Sequence, residues 1–448
     1  GQKGTGLKSL KTEVINTEKR SDIVGADYGH TWEALRRVGH SAIQKYSGSE
    51  KLVLLASDCV DRTIKMVVEK EGLNKPFNPL PYIYQLFFNI LSTSAFGRSY
   101  DMNDKEYKQL KYVMKDMIRE NGIQFIILQF VPIMRYVFRG AANKQQKVIN
   151  EMIDMLSNKF SKHYVDYDES VCRDFCDALI TAKNEALREG KESAPYLTDD
   201  NLALVVFDLF LAGTDTSQMT FQWLLLFLSY YPSVQRKLRQ EIETQIGDRM
   251  PTHEDRNRCH YVMAFISETM RLRNRKLRQE IETQIGDRMP THEDRNRCHY
   301  VMAFIAETMR LRNVVPLGVP HKAVVQMQIG DYTIPKGTGV ALFHDEILTD
   351  EKYWENGDQF TPERFLDSEG QYMTTRPLAF IPFGVGRRVC LGEKLAIADL
   401  FLVLVRFLQS TQDYDLILGR NSGIDTDPDI VESNNPKGYE IILREKVK

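Results

Sequence analysis

The stretch FIPFGVGRRVCLGEKLA, residues 380–396, decides how the rest of the chain is read. It sets Phe383, Gly384, Gly386, Arg388, Cys390 and Gly392 just ahead of an apolar helical run, LAIADLFLVLVRFLQ. As bare local structure this is a loop that starts a helix and buries one cysteine. Ordinary residue frequencies give on the order of 10⁻⁴ chance matches to Phe-x-x-Gly-x-Arg-x-Cys-x-Gly in a chain of this length. Glycines let the backbone approach a sulfur and donate hydrogen bonds to it. The N-terminus of the following helix lowers the thiol pKa. An arginine two residues before the cysteine can pair with an anionic group on a bound cofactor. The pattern suits a thiolate metal ligand, and Cys390 is the candidate.

Upstream, TDDNLALVVFDLFLAGTDTSQMTFQWLLLFLSYYPS holds the longest helical run, capped by Thr198 and closed by Pro232. Unbroken from Asp199 to Tyr230 it would extend ~48 Å. It carries AGTDTS, residues 212–217, where a glycine and three hydroxyls interrupt an apolar helix. Gly alone costs ~1 kcal/mol there. Such a set reads either as a small polar surface stripe or as a local opening of the helix. Nearer the start, TWEALRR places Trp32 and Arg36 on one helix face. Further on, FTPERF supplies Pro362, Glu363 and Arg364.

Together these motifs resemble the haem-thiolate monooxygenases of the cytochrome P450 family, and the likeness runs over residues 22–446. The fold it implies is mainly α with a small β region, in one domain. By that resemblance Cys390 is the axial iron ligand of haem b, pushing electron density that favours O–O cleavage. Arg388 contacts a haem propionate, Phe383 shields the sulfur, and Gly392 completes the cofactor loop. Asp215 and Thr216 are the catalytic pair that relays protons, with Ala212 facing the iron. Trp32 and Arg36 donate to a propionate. Arg364 joins the Glu-x-x-Arg of a preceding helix in a buried ion triad that serves geometry rather than chemistry. Arg37, Arg387 and Lys394 offer a basic patch to an acidic electron donor. Substrate contacts are expected from 122–138, Val205–Ala212 and Val315–Val319.

The remaining pattern agrees with that fold. YGHTWEALRRVGHSAIQKY and PYIYQLFFNILSTSAFG read as helices, the second apolar nearly all round. GIQFIILQFVPIMRYVF reads as a short helix plus loop. KAVVQMQIGDYTIPKGTGVALF alternates and turns at Gly330-Asp331, which signals short strands and a hairpin. The tail closes on a strand. A net charge of −2 argues neither for a nucleic-acid binder nor for an acidic tail protein. Six cysteines without a framework suit reduced thiols. Cys172 and Cys176 stand at helical i,i+4 spacing with His163 as the one nearby partner, which reads as no metal site. No apolar run reaches the ~18–20 residues of a membrane span.

One feature of the chain is anomalous. Residues 236–274 and 275–313 are a tandem duplicate, identical save that Ser267 becomes Ala306. Only the second copy runs into VVPLGVPHKA, so Glu307 and Arg310 are the candidates for the triad with Arg364. The first copy has the matching entrance from the long helix. One copy satisfies both flanks, so the other is surplus, and it is not a stacking repeat architecture.

The resemblance points to animal microsomal members, nearest the steroid 17α-hydroxylase-like and aromatic-hydrocarbon-oxidising branches. It implies a lipophilic small-molecule substrate and electrons from NADPH through a cytochrome reductase. It also implies the cytosolic face of the endoplasmic reticulum membrane, with the anchor, hinge and first elements expected outside this stretch. The competing readings are a haem-thiolate isomerase or peroxygenase that needs no reductase, and a non-functional haem-binding fragment.

Overall fold

The computed structural model describes residues 5–6, 21–47, 50–112, 139–230, 249–250, 252, 309–319, 321–358, 362–365, 373, 377–411, 413–419, 422, 436 and 438–446. The chain divides into two compact units. Unit 1 takes 1–46, 88–215 and 318–342, and unit 2 takes 47–87, 216–317 and 343–448. Helices dominate the described residues, with short strands in three small sheets, so the fold is mainly α.

Unit 1 holds α1 (His30–Ser47, to Tyr46), the second half of α3 (Leu80–Phe96), α4 (Lys105–Lys111), α5 (Arg139–His163), α6 (Phe175–Arg188) and the first half of α7 (Asp199–Tyr230). The apolar run of α3 buries almost every side chain, as its composition requires. Its Phe88 sits edge-on to Tyr107 and Phe210, with centroids 4.8 and 5.2 Å away. Such aromatic pairs add about 0.5–1.5 kcal/mol each beyond their buried area. Asn89 exchanges two 2.9 Å hydrogen bonds with the main chain of Tyr100, closing the turn that follows α3.

Three helix starts in this unit, those of α4, α6 and α7, carry side-chain caps. Asp104 accepts from Glu106 N, Asp174 from Asp177 N, and Thr198 Oγ1 from Asn201 N. A three-stranded sheet runs β1 (Thr5–Gly6), β3 (His321–Ala323), β6 (Gly339–Val340). Beside it in sequence, β4 (Met327–Ile329) and β5 (Tyr332–Ile334) form the expected hairpin, with Gly330 at φ +56° in its two-residue turn. The N-terminal strand β1 carries no signal that the sequence reading used.

Unit 2 holds α2 (Glu50–Glu71), the first half of α3, the second half of α7, α8 (His344–Thr349) and α9 (Glu393–Ser410). Its sheet orders β2 (Pro76–Phe77), β8 (Ile441–Glu445), β7 (Tyr414–Leu418), all antiparallel, with Leu416 opposite Leu443 on the buried face. The closing strand β8 is legible in the sequence, whereas β7 is not. α9 packs on α2, and Arg406 forks onto Asp61 through bonds of 3.0 and 2.7 Å. Ser410 adds a third contact to the same carboxylate.

Two expectations change here. Cys172 does not share a helix with Cys176, because α6 begins at Phe175 behind its Asp174 cap. α7 is long and apolar enough to cross a membrane between Asp199 and Leu226, although no run had been read that way. Of its most apolar window 61% is buried within the fold, which makes it a core helix. The expected 122–138 helix-loop, and almost all of the duplicate, lie outside the described residues.

Candidate functional site

The cysteine loop is built by unit 2. Its main chain turns back on itself, with Gly384 N bonded to Ile381 O (2.9 Å) and Cys390 N to Phe383 O (2.8 Å). Gly384 and Gly386 both sit at φ +75°, where a Cβ is strained, so the two glycines make this closed turn possible. Gly392 is the N-cap of α9, and a Cβ there would lie 4.0 Å from the Cys390 sulfur. Cysteine is among the most buried residue types. Cys59 and Cys176 obey that tendency, whereas Cys390 is exposed on a loop pinned at both ends. Arg388 beside it is half-buried.

The platform under this loop is a six-residue aromatic and aliphatic cluster: Leu348, Trp354, Phe365, Ala379, Phe380 and Ile381. It joins the residues preceding the loop to the meander after α8. Arg310 is fully buried and donates to Leu348 O (2.5 Å) and Gly357 O (2.7 Å), with its guanidinium 5.2 Å from the Trp354 ring centre. Arg364 donates to Glu355 O and Asn356 O and lies 5.9 Å from the same ring. Both arginines expected in the triad therefore converge on the meander, binding main-chain carbonyls around one tryptophan. Glu307 lies outside the described residues. Gly357 allows this packing, since any Cβ there would run into Thr349 O.

The expected opening at 212–217 is absent. α7 is continuous through AGTDTS, and Thr214 Oγ1 donates to Phe210 O (2.7 Å), one turn back. That bond occupies the hydroxyl while leaving the helical ladder intact. Ala212 is exposed and Asp215 and Thr216 are half-buried, within a helix otherwise packed nearly all round. In the expected lining 205–212, Val205, Val206, Phe207 and Phe210 are instead fully packed. Leu209, Leu211 and Ala212 keep exposure. Val315 is half-buried and Val319 exposed.

In unit 1, Trp32 and Arg36 stack as i,i+4 spacing requires, with the guanidinium 5.4 Å from the indole centre. The Trp32 indole N–H donates to Ile23 O (3.0 Å), which anchors the segment before α1 instead of pointing a donor outward. Arg36 is half-buried; Arg37, Arg387 and Lys394 are exposed.

Three structural residues escaped the sequence reading. Asp208, inside the presumed lining, accepts from Ile23 N (2.8 Å) and Val24 N (3.2 Å) and holds the segment that Trp32 also anchors. Trp354 is the ring between the two arginines. Asp399, a lone acid in the apolar run of α9, is buried, and burial pushes its carboxyl up to about 8. The acid in LAIADLFLVLV was visible, but a helical period alone does not say which face it takes.

The donor set suits a haem. A presented, pinned thiol stands at a helix start, with an arginine two residues away. Comparison with known sequences agrees. The family model Cytochrome P450 matches residues 3–275 and again 273–412, so the chain belongs to the cytochrome P450 family. The two matches meet at the junction between the duplicate copies. Membership places it among haem-iron oxidoreductases that incorporate molecular oxygen. Cytochrome P450 2U1 of Mus musculus is 31% identical over 395 residues, covering 88% of this chain and 66% of that protein. Steroid 17-alpha-hydroxylase/17,20 lyase of Ictalurus punctatus is 29% identical (90% of this chain, 70% of that protein). The Squalus acanthias protein of the same name is 28% identical (90% and 72%). The chain thus spans about two thirds of the length of these relatives.

Proposed function

We propose that this chain carries the catalytic domain, residues 22–446, of a haem b monooxygenase that hydroxylates a lipophilic molecule, a steroid or xenobiotic. The observation that carries the reading is the exposed Cys390 thiol in a loop closed by the Phe383 carbonyl. Haem iron, when bound, supplies the activation of dioxygen. Cys390 holds it as thiolate, favoured by the start of α9. Arg388 and Arg36 offer cations to its propionates. Phe383 shields the sulfur, and Gly392 completes the loop as the N-cap of α9. On α7, Ala212 is small enough to leave room for substrate. Asp215 and Thr216 follow at once, half-buried, where carboxylate and hydroxyl can hold and pass a proton. Glu307, Arg310 and Arg364 serve the scaffold.

Electrons come from NADPH through a cytochrome reductase, which meets the exposed cations Arg387 and Lys394 beside the cysteine loop. The name of the steroid hydroxylase relatives and the apolar character of Leu209, Leu211 and Val315 support a lipophilic substrate. The same relatives support a place at the endoplasmic reticulum membrane, on its cytosolic face.

The test is the reduced, carbon-monoxide-bound difference spectrum of the full chain and of a form lacking 275–313. A thiolate-type Soret band that Cys390→Ser removes is expected. With reductase, NADPH and a steroid panel, Thr216→Ala and Asp215→Asn should keep the band but yield less product per NADPH consumed. Absence of the band from both forms would overturn the reading.

A further inference from the structure

Away from the cysteine loop, unit 1 gathers three metal-ligating groups at the corner between α5 and α6. His163 closes α5, Asp174 caps α6, and Cys176 lies in its first turn. Their donor atoms all lie within 4.8 Å of one another. Asp174 and Cys176 are buried at 2% and 0% exposure, while the His163 side chain keeps 12%, which leaves an entry path on the histidine side. We propose that His163 Nε2, Asp174 Oδ2 and Cys176 Sγ form a zinc(II) site, with water in the fourth position.

Four features carry this assignment. His163 Nδ1 lies 3.0 Å from Lys159 O, so Nδ1 bears a proton and Nε2 is the nitrogen turned to the cluster. A main-chain carbonyl on the second ring nitrogen is the usual support of a metal-bound histidine. Asp174 divides its oxygens: Oδ1 accepts the capping bond from Asp177 N (3.1 Å), and Oδ2 faces His163 at 2.8 Å. The cap therefore survives when Oδ2 changes partner. Gly97, at φ +65°, leaves the space beside Oδ2 clear, since its Cβ would stand 3.3 Å away. Finally, the neighbouring charges are matched elsewhere. Asp177 is held by Arg173, and Lys159 by Glu106, so neither competes for the corner.

The charge balance also closes. Both ring nitrogens face acceptors, so His163 and Asp174 share one proton across their 2.8 Å contact and form a neutral pair, while Cys176 donates its thiol proton to Ala95 O (3.0 Å). The corner is neutral. Zinc entry displaces the Nε2 proton and the thiol proton to solvent, leaving neutral imidazole, carboxylate, thiolate and a dication. The corner is neutral again, so loading places no uncompensated charge in the interior. Tetrahedral zinc with N and O ligands near 2.1 Å sets them ~3.3 Å apart. The His163–Asp174 contact must open by roughly half an ångström, which a side chain at a helix end can supply. The N, O, S donor set selects zinc over magnesium or calcium.

The experiment uses the full haem-loaded chain. Zinc binding is measured by competition with a chromophoric chelator, and the ligand shell by zinc K-edge absorption. One zinc per chain is expected, with a sulfur scatterer at ~2.3 Å that Cys176→Ala removes. His163→Ala and Cys176→Ala should each weaken binding on the order of 100-fold. Asp174→Asn keeps an acceptor for the cap, so it tests the ligand without losing α6, and should weaken binding as well. Circular dichroism and the haem band report that each variant stays folded. No stoichiometric zinc, or zinc that these three variants leave unchanged, overturns the assignment.

Discussion

The meander after α8 in unit 2 and the segment before α1 in unit 1 are both irregular backbone held in place, and by opposite chemistry. Around Trp354 the orphan groups are carbonyls, of Leu348, Glu355, Asn356 and Gly357, and two arginines collect them. Before α1 the orphans are N–H groups. Ser21 N goes to Asn201 Oδ1 (2.7 Å), and Ile23 N and Val24 N go to Asp208 Oδ2. A guanidinium forks rigidly to several acceptors, and a carboxylate gathers donors. The sign of the buried charge is thus dictated by which half of the peptide group the turn leaves unpaired. In both places oriented peptide dipoles stabilise the buried charge.

The comparison breaks most visibly at Arg310. Arg310→Ala strips two buried carbonyls of charged donors and one face from Trp354, at a cost of about 3–5 kcal/mol. The cluster it supports includes Ala379–Ile381, so haem retention should fall with stability. Arg310→Lys keeps the charge but loses the fork, and should recover less than half. Urea unfolding alongside the carbon monoxide spectrum checks both. A lysine variant equal to the wild type would show that charge alone, not shape, holds the meander.

Asp208→Ala is the mirror-image test in unit 1. Two N–H groups lose one carboxylate oxygen, which should cost ~2–3 kcal/mol. Asp208→Asn retains an acceptor and should cost ~1 kcal/mol. Hydrogen exchange at Ile23 and Val24 should quicken in the alanine variant and change little in the asparagine one. Equal exchange in both would mean that the Trp32 indole bond to Ile23 holds the segment by itself.

How much of this was legible follows the same division. The helices at Trp32, Tyr82 and Asp199, the hairpin at Gly330 and the loop at Cys390 were readable, because each rests on contacts between near neighbours in sequence. β7 was not, since a strand of five residues takes its meaning from pairing with Ile441–Glu445. Asp208 was not, because an acid in an apolar run declares a buried partner without naming it. Of the two readings of AGTDTS the local opening fails, because Thr214 turns back on Phe210 O and the helix runs on. Arg310 was found through its motif, yet its partners, two carbonyls 38 and 47 residues away, belong to the tertiary fold.

Asp399 sharpens the comparison from the other side, as a buried acid whose Oδ1 has no hydrogen-bond partner among the described residues. Without dipoles to support the anion, burial raises its pKa from 3.8 to about 8. Below pH 3.8 the folded and unfolded chains both hold the proton. Between that and about 8 only the folded chain does, so stability falls as pH rises, by ~1.4 kcal/mol per unit. At pH 7 the accumulated loss approaches about 4 kcal/mol. Asp399→Asn removes that loss but buries an amide at ~1–3 kcal/mol, for a net gain of ~1–3 kcal/mol at neutral pH. Thermal unfolding of the two chains between pH 5 and 8 should show a gap that widens with pH. Parallel curves would mean that the carboxylate is already solvated in the fold, as Asp208 is by its two peptide donors.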